Sequence, residues 1–150
     1  MNIHIRELTG TDLNKGFLET LTGLAPVGLT SAEALRVFQS RLRSGIRTYV
    51  ALVGTRVVGT ASLLVEQKFI HDGGRVGHIE DVAVHRDFQS QGIGSDLVRH
   101  ATEEAAKAGC YKVILNCSEE RVPFYVRRGY HRHDIGMRRD FAGQERAEAV

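Results

Sequence analysis

The chain has 150 residues, of which 42% are hydrophobic and 25% charged, enough for one domain that buries a sizeable core. Its formal net charge of +2 is too small to indicate nucleic-acid or membrane binding through bulk electrostatics. No apolar run approaches the roughly 18–20 residues that cross a bilayer, and no basic-then-apolar leader opens the sequence. We therefore expect an intracellular, cytoplasmic protein, with an organelle lumen left open.

The N-terminal half predicts a strand, two helices and a β-hairpin. Residues 1–8 alternate between apolar and polar side chains and indicate a first strand. Thr11 precedes apolar residues at helical spacing and is predicted to cap a first helix. The sequence TSAE at 30–33 predicts a capping box for a second helix, which ends near Gly45. Two apolar stretches follow, and Gly54-Thr55 between them is a hairpin signal. The apolar stripe predicted for the second helix is Ala34, Leu35, Phe38 and Leu42.

The C-terminal half predicts alternating strands and helices. The strand HIEDVAV is followed by a glycine-containing turn and by a helix that ends near Gly109. The segment YKVILN is almost wholly apolar, as expected for a central strand covered on both faces. Pro123 is tolerated only in the first turn of the next helix, which is therefore short. The remainder, YHRHDIGMRRDF, indicates one or two final strands.

The order of these elements, β-α-α-β-β-β-α-β-α-β, predicts a single α/β domain over residues 1–150. Its sheet is expected to be mixed, with helices on both faces, and residues from about 142 to 150 to form a loose C-terminal tail. Cys110 and Cys117 would lie about 23 Å apart on one strand, so we expect no disulfide between them. Their spacing is not that of metal ligands, and both are expected to be small buried hydrophobes.

The turn QSQGIG places Gly92 and Gly94 between a strand and a helix. Glycines there let a ligand approach the backbone, and the free N–H groups of a helix N-terminus attract anions such as phosphate. A plain tight connection is the alternative. A dinucleotide-binding turn would need a glycine at Leu97, and a P-loop would need Lys-Ser/Thr where the chain has Ser95-Asp96. The remaining pattern is Q-x-x-G-x-G, which begins at Gln89.

This pattern resembles the pyrophosphate-binding signature of the GNAT superfamily of acyl-CoA N-acetyltransferases. The resemblance implies the GNAT fold and acetyl-CoA as co-substrate, with no metal. It also implies that the backbone of the preceding strand pairs with the pantetheine arm and that the turn holds the pyrophosphate. The residues implied for the arm are Val82, Ala83 and Val84, and those for the pyrophosphate are Gln89, Ser90, Gln91, Gly92, Ile93, Gly94 and Ser95.

Glu80 and Asp81 are adjacent in the strand that precedes the turn. Neighbouring residues of a strand point to opposite faces, so both can reach solvent only if the strand ends or bulges there. Solvated acids at a strand end are the simple alternative. The segments GHIEDVAV, KFIH, GCYKVIL and FYVRRGY, however, are together similar to the glucosamine 6-phosphate N-acetyltransferase branch of the superfamily. A looser similarity extends from Ile5 to Phe141.

The narrower resemblance implies transfer of the acetyl group of acetyl-CoA to the amine of D-glucosamine 6-phosphate, a step toward UDP-N-acetylglucosamine. It implies catalytic roles for Glu80, Asn116 and Tyr125, with Tyr125 near the thioester sulfur and shared with the cofactor site. It also implies a homodimer with a shared active site, in which a C-terminal basic residue reaches the neighbour's sugar phosphate. The residues implied to contact the sugar are Lys68, Phe69, Ile70, His71, Glu80, Asp81, Val82, Asn116, Arg138 and Arg139.

Two residues depart from the family pattern. Asn116 stands where the family usually has an aspartate near the reacting amine, and Pro26 stands where a hydroxyl residue is more common. Both changes affect the prediction of the sugar acceptor more than the prediction of the acetyl donor. Glu80 is expected to act as base or cation holder, and a strand N–H near Val82 to stabilise the oxyanion. A thiol pKa near ~8.5 and a phenol pKa near ~10 make proton transfer from Tyr125 roughly 2 kcal/mol uphill, so we expect it to stabilise the thiolate by a hydrogen bond as much as to protonate it.

Two alternative functions remain open. Acetylation of another small amine, of a protein lysine or of an N-terminus would keep the fold and the donor but change the acceptor. Lys68 and His71 favour a compact anion site over an open peptide groove, although His71 fits an ordinary surface histidine equally well. A non-enzymatic nucleic-acid-binding module is a distant alternative, because the C-terminal arginines lack interleaved aromatics and a recognition motif. Most of these arginines are expected to form a solvated face, and a few to bind the CoA or sugar phosphates. The C-terminal arginines are Arg121, Arg127, Arg128, Arg132, Arg138 and Arg139.

Overall fold

A five-stranded mixed sheet forms the centre of the structure, a computed structural model that describes residues 2–143. Its strands are β1 (Ile3–Glu7), β2 (Ile46–Val53), β3 (Arg56–Gln67), β4 (Arg75–Val84) and β5 (Cys110–Ile114). The helical segments are α1 (Phe17–Leu21), α2 (Ser31–Arg43), the four-residue α3 (Ile70–Gly73), α4 (Ile93–Lys107) and α5 (Val122–Val126). Short 3-10 turns lie at Gly10–Asn14, Arg86–Phe88 and Glu119–Arg121.

The strands lie in the order β1-β2-β3-β4-β5, antiparallel except for the last pair. The predicted hairpin at Gly54-Thr55 is confirmed, because Val53 pairs with Arg56 across that turn. Helix α4 carries the chain from β4 back to β5, which makes this last pair parallel. The two strands pair only as far as His78 with Ile114. Beyond that point they separate, and we call the opening the β4–β5 gap.

The two faces of the sheet bury separate apolar clusters, because neighbouring residues of a strand point to opposite faces. Tyr49 and Ala51 of β2 pack with α4 on one face. Val50 and Leu52 of the same strand pack beneath α1 and α2 on the other. The mixed sheet with helices on both faces is therefore confirmed.

Helix α4 approaches the sheet closely at Gly59 of β3. A Cβ atom at Gly59 would lie 2.8 Å from Cδ1 of Leu97 and 3.0 Å from Cγ2 of Ile93. Both distances are shorter than packed carbon atoms tolerate, so the glycine allows the first turns of α4 to contact the strand. Because Gly59 pairs with Val84, this contact holds the N-terminus of α4 beside the end of β4.

Helix α2 begins as predicted and buries part of the predicted stripe. Its N-cap is confirmed, since Thr30 Oγ1 accepts a hydrogen bond from the backbone N–H of Glu33 at 3.2 Å. Ala34 and Phe38 face the core as predicted, whereas Leu35 and Leu42 are 41% and 48% exposed. The buried face continues instead at the i+7 position from Ala34, which is Arg41.

The first predicted helix is divided into two short pieces. A 3-10 turn begins at Gly10, so Thr11 lies inside it and caps nothing, and α1 begins only at Phe17. Gly16 between the two pieces has a φ of 93°, which a continuous right-handed helix cannot contain. The prediction of one helix beginning at Thr11 is therefore wrong.

The predicted final strands are absent within the described residues. Residues 130–141 form no strand, and Ile135 and Met137 are 86% and 91% exposed. A strand needs a neighbour for its backbone hydrogen bonds, and among the described residues the sheet ends at β5 without pairing to this segment. Consequently β5 is the outer strand, with Tyr111 40% exposed, rather than a central strand covered on both faces. Of the predicted tail, only 142 and 143 lie among the described residues.

Both cysteines are free thiols. Cys110 at the start of β5 is half-buried, and burial raises the pKa of its thiol. Cys117 is exposed because it lies beyond the end of β5, so its prediction as a buried hydrophobe is wrong. Within residues 2–143, no helix combines the length and the apolar character needed to cross a membrane.

A carboxylate at the first turn, Asp12, is predicted to make the free energy of unfolding depend on pH. Its side chain is 2% exposed and accepts two hydrogen bonds from Arg6, at 2.7 and 2.9 Å, and one from the Thr9 N–H at 2.8 Å. The Arg6 guanidinium is the main reason that the pKa of Asp12 falls to about 2. Because this pKa lies below the unfolded value, the contribution is present above about pH 4 and is lost as pH falls toward 2.

We therefore expect Asp12→Asn to lower the free energy of unfolding by about 1–2 kcal/mol at pH 7, and by progressively less below pH 4. Urea denaturation at several pH values measures both quantities. Glu7→Gln is the matched control, because the Glu7–Arg47 pair is exposed on both sides and should contribute below about 1 kcal/mol. An Asp12→Asn effect that did not vary between pH 7 and pH 3 would contradict this account.

Candidate functional site

A β-bulge in β4 places Glu80 and Asp81 in one cavity. Glu80 pairs with Ser62 and Ala83 with Thr60, so Asp81 and Val82 together stand opposite a single residue of β3. Asp81 has a φ of 51°, in the left-handed region. Both carboxylates line a cavity of about 200 Å³ on the face covered by α1 and α2. The bulge is thus the exception that allows two adjacent strand residues to share a face.

A larger cavity of about 600 Å³ adjoins the first. Its walls come mainly from α1, α2 and the loop between them, which carries the Pro26-Val27-Gly28 segment. Most of the lining is apolar, and the polar groups gather where the cavity meets the sheet. The polar residues at the sheet are Arg41, Thr60, Ser62 and Asp81, and Glu33 adds a carboxylate at the start of α2.

A row of polar side chains crosses three strands and ends at Glu80. Thr48 of β2 pairs with Ser62 of β3, and Ser62 pairs with Glu80 of β4. Nη2 of Arg41 donates to Thr48 Oγ1 at 3.1 Å and to Ser62 Oγ at 2.7 Å. Both hydroxyl residues are buried, so their bonds to the guanidinium fix it against the sheet. Arg41 lines both cavities.

The glycine turn leaves the N-terminus of α4 open. Gly92, the N-cap, has a φ of 81° and offers no side chain to the first N–H groups of the helix. Gln89 is held over the end of β4 by a 3.2 Å hydrogen bond from its amide nitrogen to the Val84 carbonyl oxygen. Ser90 between them also has a positive φ, of 63°. The turn therefore presents unpaired backbone donors at a helix N-terminus, which is a suitable cradle for an anion.

Arg128 is held beside this turn. Its Nε donates to Ser95 Oγ at 2.7 Å, and its guanidinium lies 3.6 Å from the centre of the Phe124 ring. Phe124 also lies close to Gly94, since a Cβ atom there would be 3.9 Å from the ring. Arg128 therefore places a fixed positive charge at the first turn of α4. Among the predicted C-terminal arginines, its position fits the expected role of binding a CoA phosphate.

The β4–β5 gap exposes one backbone edge of β4 from Ile79 onward. Ala83 and Val84 pair with β3 on one side only. Asn116 lies two residues beyond Ile114, the last paired residue of β5. Its side chain is exposed. Only a continued strand register would bring Asn116 to the level of the carboxylates. The edge of residues 82–84 is left open.

Tyr125 is buried rather than open to either cavity. Its side chain is 9% exposed, between Phe124 and Tyr130, whose ring centres lie 4.9 and 5.9 Å away. Tyr130 in turn bonds Thr102 of α4 at 2.6 Å. Burial raises the pKa of the Tyr125 phenol, and Cys117 adds to the shift. The hydroxyl consequently stays protonated through neutral pH.

The KFIH segment lies away from the carboxylates within one chain. Lys68 follows the end of β3, six residues beyond Ser62, a separation of about 20 Å along an extended strand. Its Nζ is 3.1 Å from Glu66, whose other oxygen is 2.9 Å from His78, and these bonds lower the pKa of Glu66. His71 stacks on Tyr111 at 4.2 Å between ring centres. The side chains of Phe69 and Ile70 are exposed to solvent. The structure therefore does not join this segment to Glu80 and Asp81 in one chain.

The C-terminal arginines also lie outside both cavities. Arg138 Nε bonds Asp140 at 2.8 Å, and the Arg139 guanidinium lies 5.8 Å from the centre of the Phe141 ring. Neither residue lines the cavity of the carboxylates. Among residues 2–143, no group of three or more His, Cys, Asp or Glu side chains is arranged to hold a metal ion.

Arg41 is the site residue that the sequence-based prediction missed. It occupies the i+7 position from Ala34, on the buried face of α2, where an amphipathic helix would normally carry an apolar residue. A cation at a core-facing position was the available signal. The predicted stripe included Ala34 and Phe38 correctly but continued to Leu42 instead of Arg41, because only apolar residues were considered for the buried face.

Comparisons with known proteins agree with this geometry. The profile of the Acetyltransferase (GNAT) family matches residues 16–130. The glucosamine 6-phosphate N-acetyltransferase of Candida albicans is 42% identical over 136 residues, which are 88% of this chain and 91% of that protein. The enzyme of that name from Trypanosoma brucei brucei is 38% identical over 144 residues, 93% of this chain and 97% of that protein. The crystal structure of glucosamine-6-phosphate N-acetyltransferase from Arabidopsis thaliana superposes with a TM-score of 0.89 at 33% identity, covering 94% of this chain and 99% of that one.

Proposed function

Because this chain belongs to the GNAT family of acetyltransferases, we propose that it transfers the acetyl group of acetyl-CoA to the amine of D-glucosamine 6-phosphate. The products are N-acetylglucosamine 6-phosphate and CoA. The observation that carries this proposal is the bulge that sets Glu80 and Asp81 together beside the open edge of β4. The identity of the sugar is inferred from the names of the relatives, one of which is 42% identical to this chain over most of both sequences.

The donor site follows from the open edge and the glycine turn. The unpaired backbone of residues 82–84 can bond the amide groups of the pantetheine arm as a neighbouring strand would. The arm then leads to the turn at 89–95, where the free N–H groups of α4 and the charge of Arg128 suit a pyrophosphate. The other end of the arm, with the thioester, reaches the bulge at Asp81.

The acceptor amine must be neutral to attack the thioester carbonyl carbon. Glu80, alone or through a water, accepts the proton that the amine loses as the C–N bond forms. A backbone N–H near Val82 is placed to bond the tetrahedral oxyanion. Asn116 can orient the amine only through its amide oxygen, since it carries no charge. The C–S bond then breaks and CoA leaves as a thiolate.

Tyr125 is proposed to assist the departing thiolate. Its buried phenol has a raised pKa, which widens the gap from a thiol pKa of about 8.5 and makes full proton transfer less favourable. A hydrogen bond from the neutral phenol to the sulfur needs no such transfer. Tyr125 therefore acts mainly as a hydrogen-bond donor, and the thiolate takes its proton from solvent.

We propose further that the protein is a homodimer with a shared active site. Within one chain, Lys68 is about 20 Å along β3 from the level of Glu80, which is too far for one sugar phosphate to span. Exposed apolar side chains cluster in the same two segments that hold the predicted phosphate ligands, notably Phe69, Ile70, Ile135 and Met137. A partner chain that covered these segments could bring its own Lys68, His71, Arg138 or Arg139 to the sugar phosphate.

The function is tested by the acceptor and donor preferences of the purified protein. We expect CoA uptake by calorimetry, and acetyl-CoA consumption that is fastest with glucosamine 6-phosphate. Unphosphorylated glucosamine and a lysine peptide are the matched acceptors, because each retains an amine but lacks the phosphate. Faster acetylation of either one would overturn the sugar phosphate, and absence of CoA uptake would overturn the donor site.

Replacement of Tyr125 separates its chemical role from its packing role. Tyr125→Phe removes only the hydroxyl, so we expect kcat to fall by about 10- to 100-fold while the Kd of CoA stays within about twofold. Steady-state kinetics and calorimetry provide the two values. Tyr130→Phe, which removes a hydroxyl bonded to Thr102, is the control for loss of a nearby buried phenol. Wild-type kcat in Tyr125→Phe would remove this residue from the mechanism.

The shared site is tested by mixing two defective variants. Glu80→Gln should abolish most turnover, and the double variant Arg138→Ala/Arg139→Ala should weaken sugar-phosphate binding. If the arginines act on the partner's site, a heterodimer of the two variants contains one intact site and regains activity after mixing. If they act within their own chain, no site is intact and activity stays low. Light scattering should give twice the 16.6 kDa chain mass, and a monomer would exclude the proposal.

A further inference from the structure

Arg41 and the two carboxylates line the same cavity. Arg41, Ser62, Glu80 and Asp81 all line the space of about 200 Å³. Among residues 2–143, no ion pair joins Arg41 to either carboxylate. The cavity therefore has a positive and a negative side that do not neutralise each other directly. Such an arrangement favours a ligand that carries both a cationic and an anionic group.

The distance between the two sides is set by the sheet. Arg41 bonds Ser62, and Ser62 is paired with Glu80 on the adjacent strand, one step of roughly 5 Å away. One strand step plus the length of a hydrogen bond is roughly 8 Å. This is comparable with the distance from the amine to the phosphate within one hexosamine 6-phosphate. A ligand with its amine at Glu80 or Asp81 would thus have its far end at the guanidinium.

The guanidinium is held in place, but its bonds to Thr48 and Ser62 involve only one of its three nitrogen atoms. Among the described residues, Nη2 donates to Thr48 Oγ1 and to Ser62 Oγ, which uses both of its N–H groups. Both two-point faces of a guanidinium include Nη2, so the N–H groups of Nη1 and Nε remain for single hydrogen bonds to an oxyanion, together with the positive charge. The two buried hydroxyl residues remove much of the conformational freedom that a surface arginine would lose on binding.

We propose that Arg41 binds the phosphate of the acceptor sugar from within the same chain and makes the enzyme selective for phosphorylated glucosamine. This inference rests on the proposed function. It assigns to Arg41 of α2 the contact that a single chain makes with the phosphate. Residues of a partner chain would make further contacts with the same phosphate. Arg41 is thus a substrate-binding residue for the acceptor.

The test compares two acceptors across four proteins: the wild type, Arg41→Met, Arg41→Lys and Arg43→Met. The measured quantity is kcat/KM for glucosamine 6-phosphate divided by kcat/KM for glucosamine. We expect this ratio to fall about 10- to 100-fold in Arg41→Met and less in Arg41→Lys, which keeps the charge but loses the directed N–H groups of Nη1 and Nε. Arg43 is exposed on the same helix, and Arg43→Met should keep the wild-type ratio.

The ratio distinguishes substrate contact from structural support. If Arg41 only supports Thr48 and Ser62, its loss lowers both rates alike and leaves the ratio unchanged, which overturns the proposal. An unchanged ratio with unchanged rates overturns it equally. Should Arg41→Met fail to fold, inorganic phosphate as an inhibitor of glucosamine acetylation provides the second measurement. Its inhibition constant should rise several-fold in the folded Arg41→Lys variant, and an unaltered constant would overturn the proposal.

Failure of this inference can be separated from failure of the proposed function. The wild type is measured first, and no preference for glucosamine 6-phosphate over glucosamine would overturn both. A clear wild-type preference that survives in Arg41→Met would overturn only the role of Arg41.

Discussion

The site depends on one extra residue in β4. Asp81 and Val82 stand opposite a single residue of β3, and the chain accommodates this by a left-handed conformation at Asp81. Such a conformation costs about 1–2 kcal/mol for a residue with a side chain. The flanking residues Ile79 and Ala83 are 2% and 8% exposed, and their burial on regular strand positions holds the bulge in place. Without it, Glu80 and Asp81 would face opposite sides of the sheet.

The same region of β4 also determines how two substrates could meet. β5 stops pairing with β4 at His78, two residues before Glu80, so the backbone edge opens where the carboxylates begin. The open N-terminus of α4 lies at the end of β4, because Gly59 lets the helix approach the adjacent strand. The two cavities proposed to bind the acceptor lie on the opposite face of the sheet from α4, beneath α1 and α2. A donor and an acceptor that enter from opposite faces can be bound together, and direct attack in a ternary complex requires this arrangement.

The sequence predicted the parts of this arrangement that depend on local patterns. Hydrophobic alternation, the Thr30 cap and the Gly54-Thr55 turn act over a few residues, and the structure agrees with each. The Q-x-x-G-x-G turn was recognised for the same reason. Pattern alone left open whether the strand ends or bulges at Glu80, because a bulge is defined by the register of the neighbouring strand.

Features that depend on distant parts of the chain were not predictable in this way. Arg41 acquires its significance from Thr48 and Ser62, which approach it only when β2 and β3 pair. Residues 130–141 were predicted as one or two strands, yet none of the described strands pairs with them. The approximate 20 Å between Lys68 and the level of Glu80 likewise follows from strand length, not from the KFIH motif itself.

The replacement of a family aspartate by Asn116 changes the electrostatics that the remaining groups must provide. A carboxylate beside the amine would favour its ammonium form and raise its pKa, whereas the attacking species is the neutral amine. In the proposed mechanism, Asn116 leaves the negative charge near the reacting nitrogen to Glu80 and Asp81, and a larger fraction of bound acceptor would be in the reactive form. The same change weakens the attraction for an ammonium ion in the site. An acceptor held there needs anchoring elsewhere, and the fixed guanidinium of Arg41 lies one strand away on the same polar row.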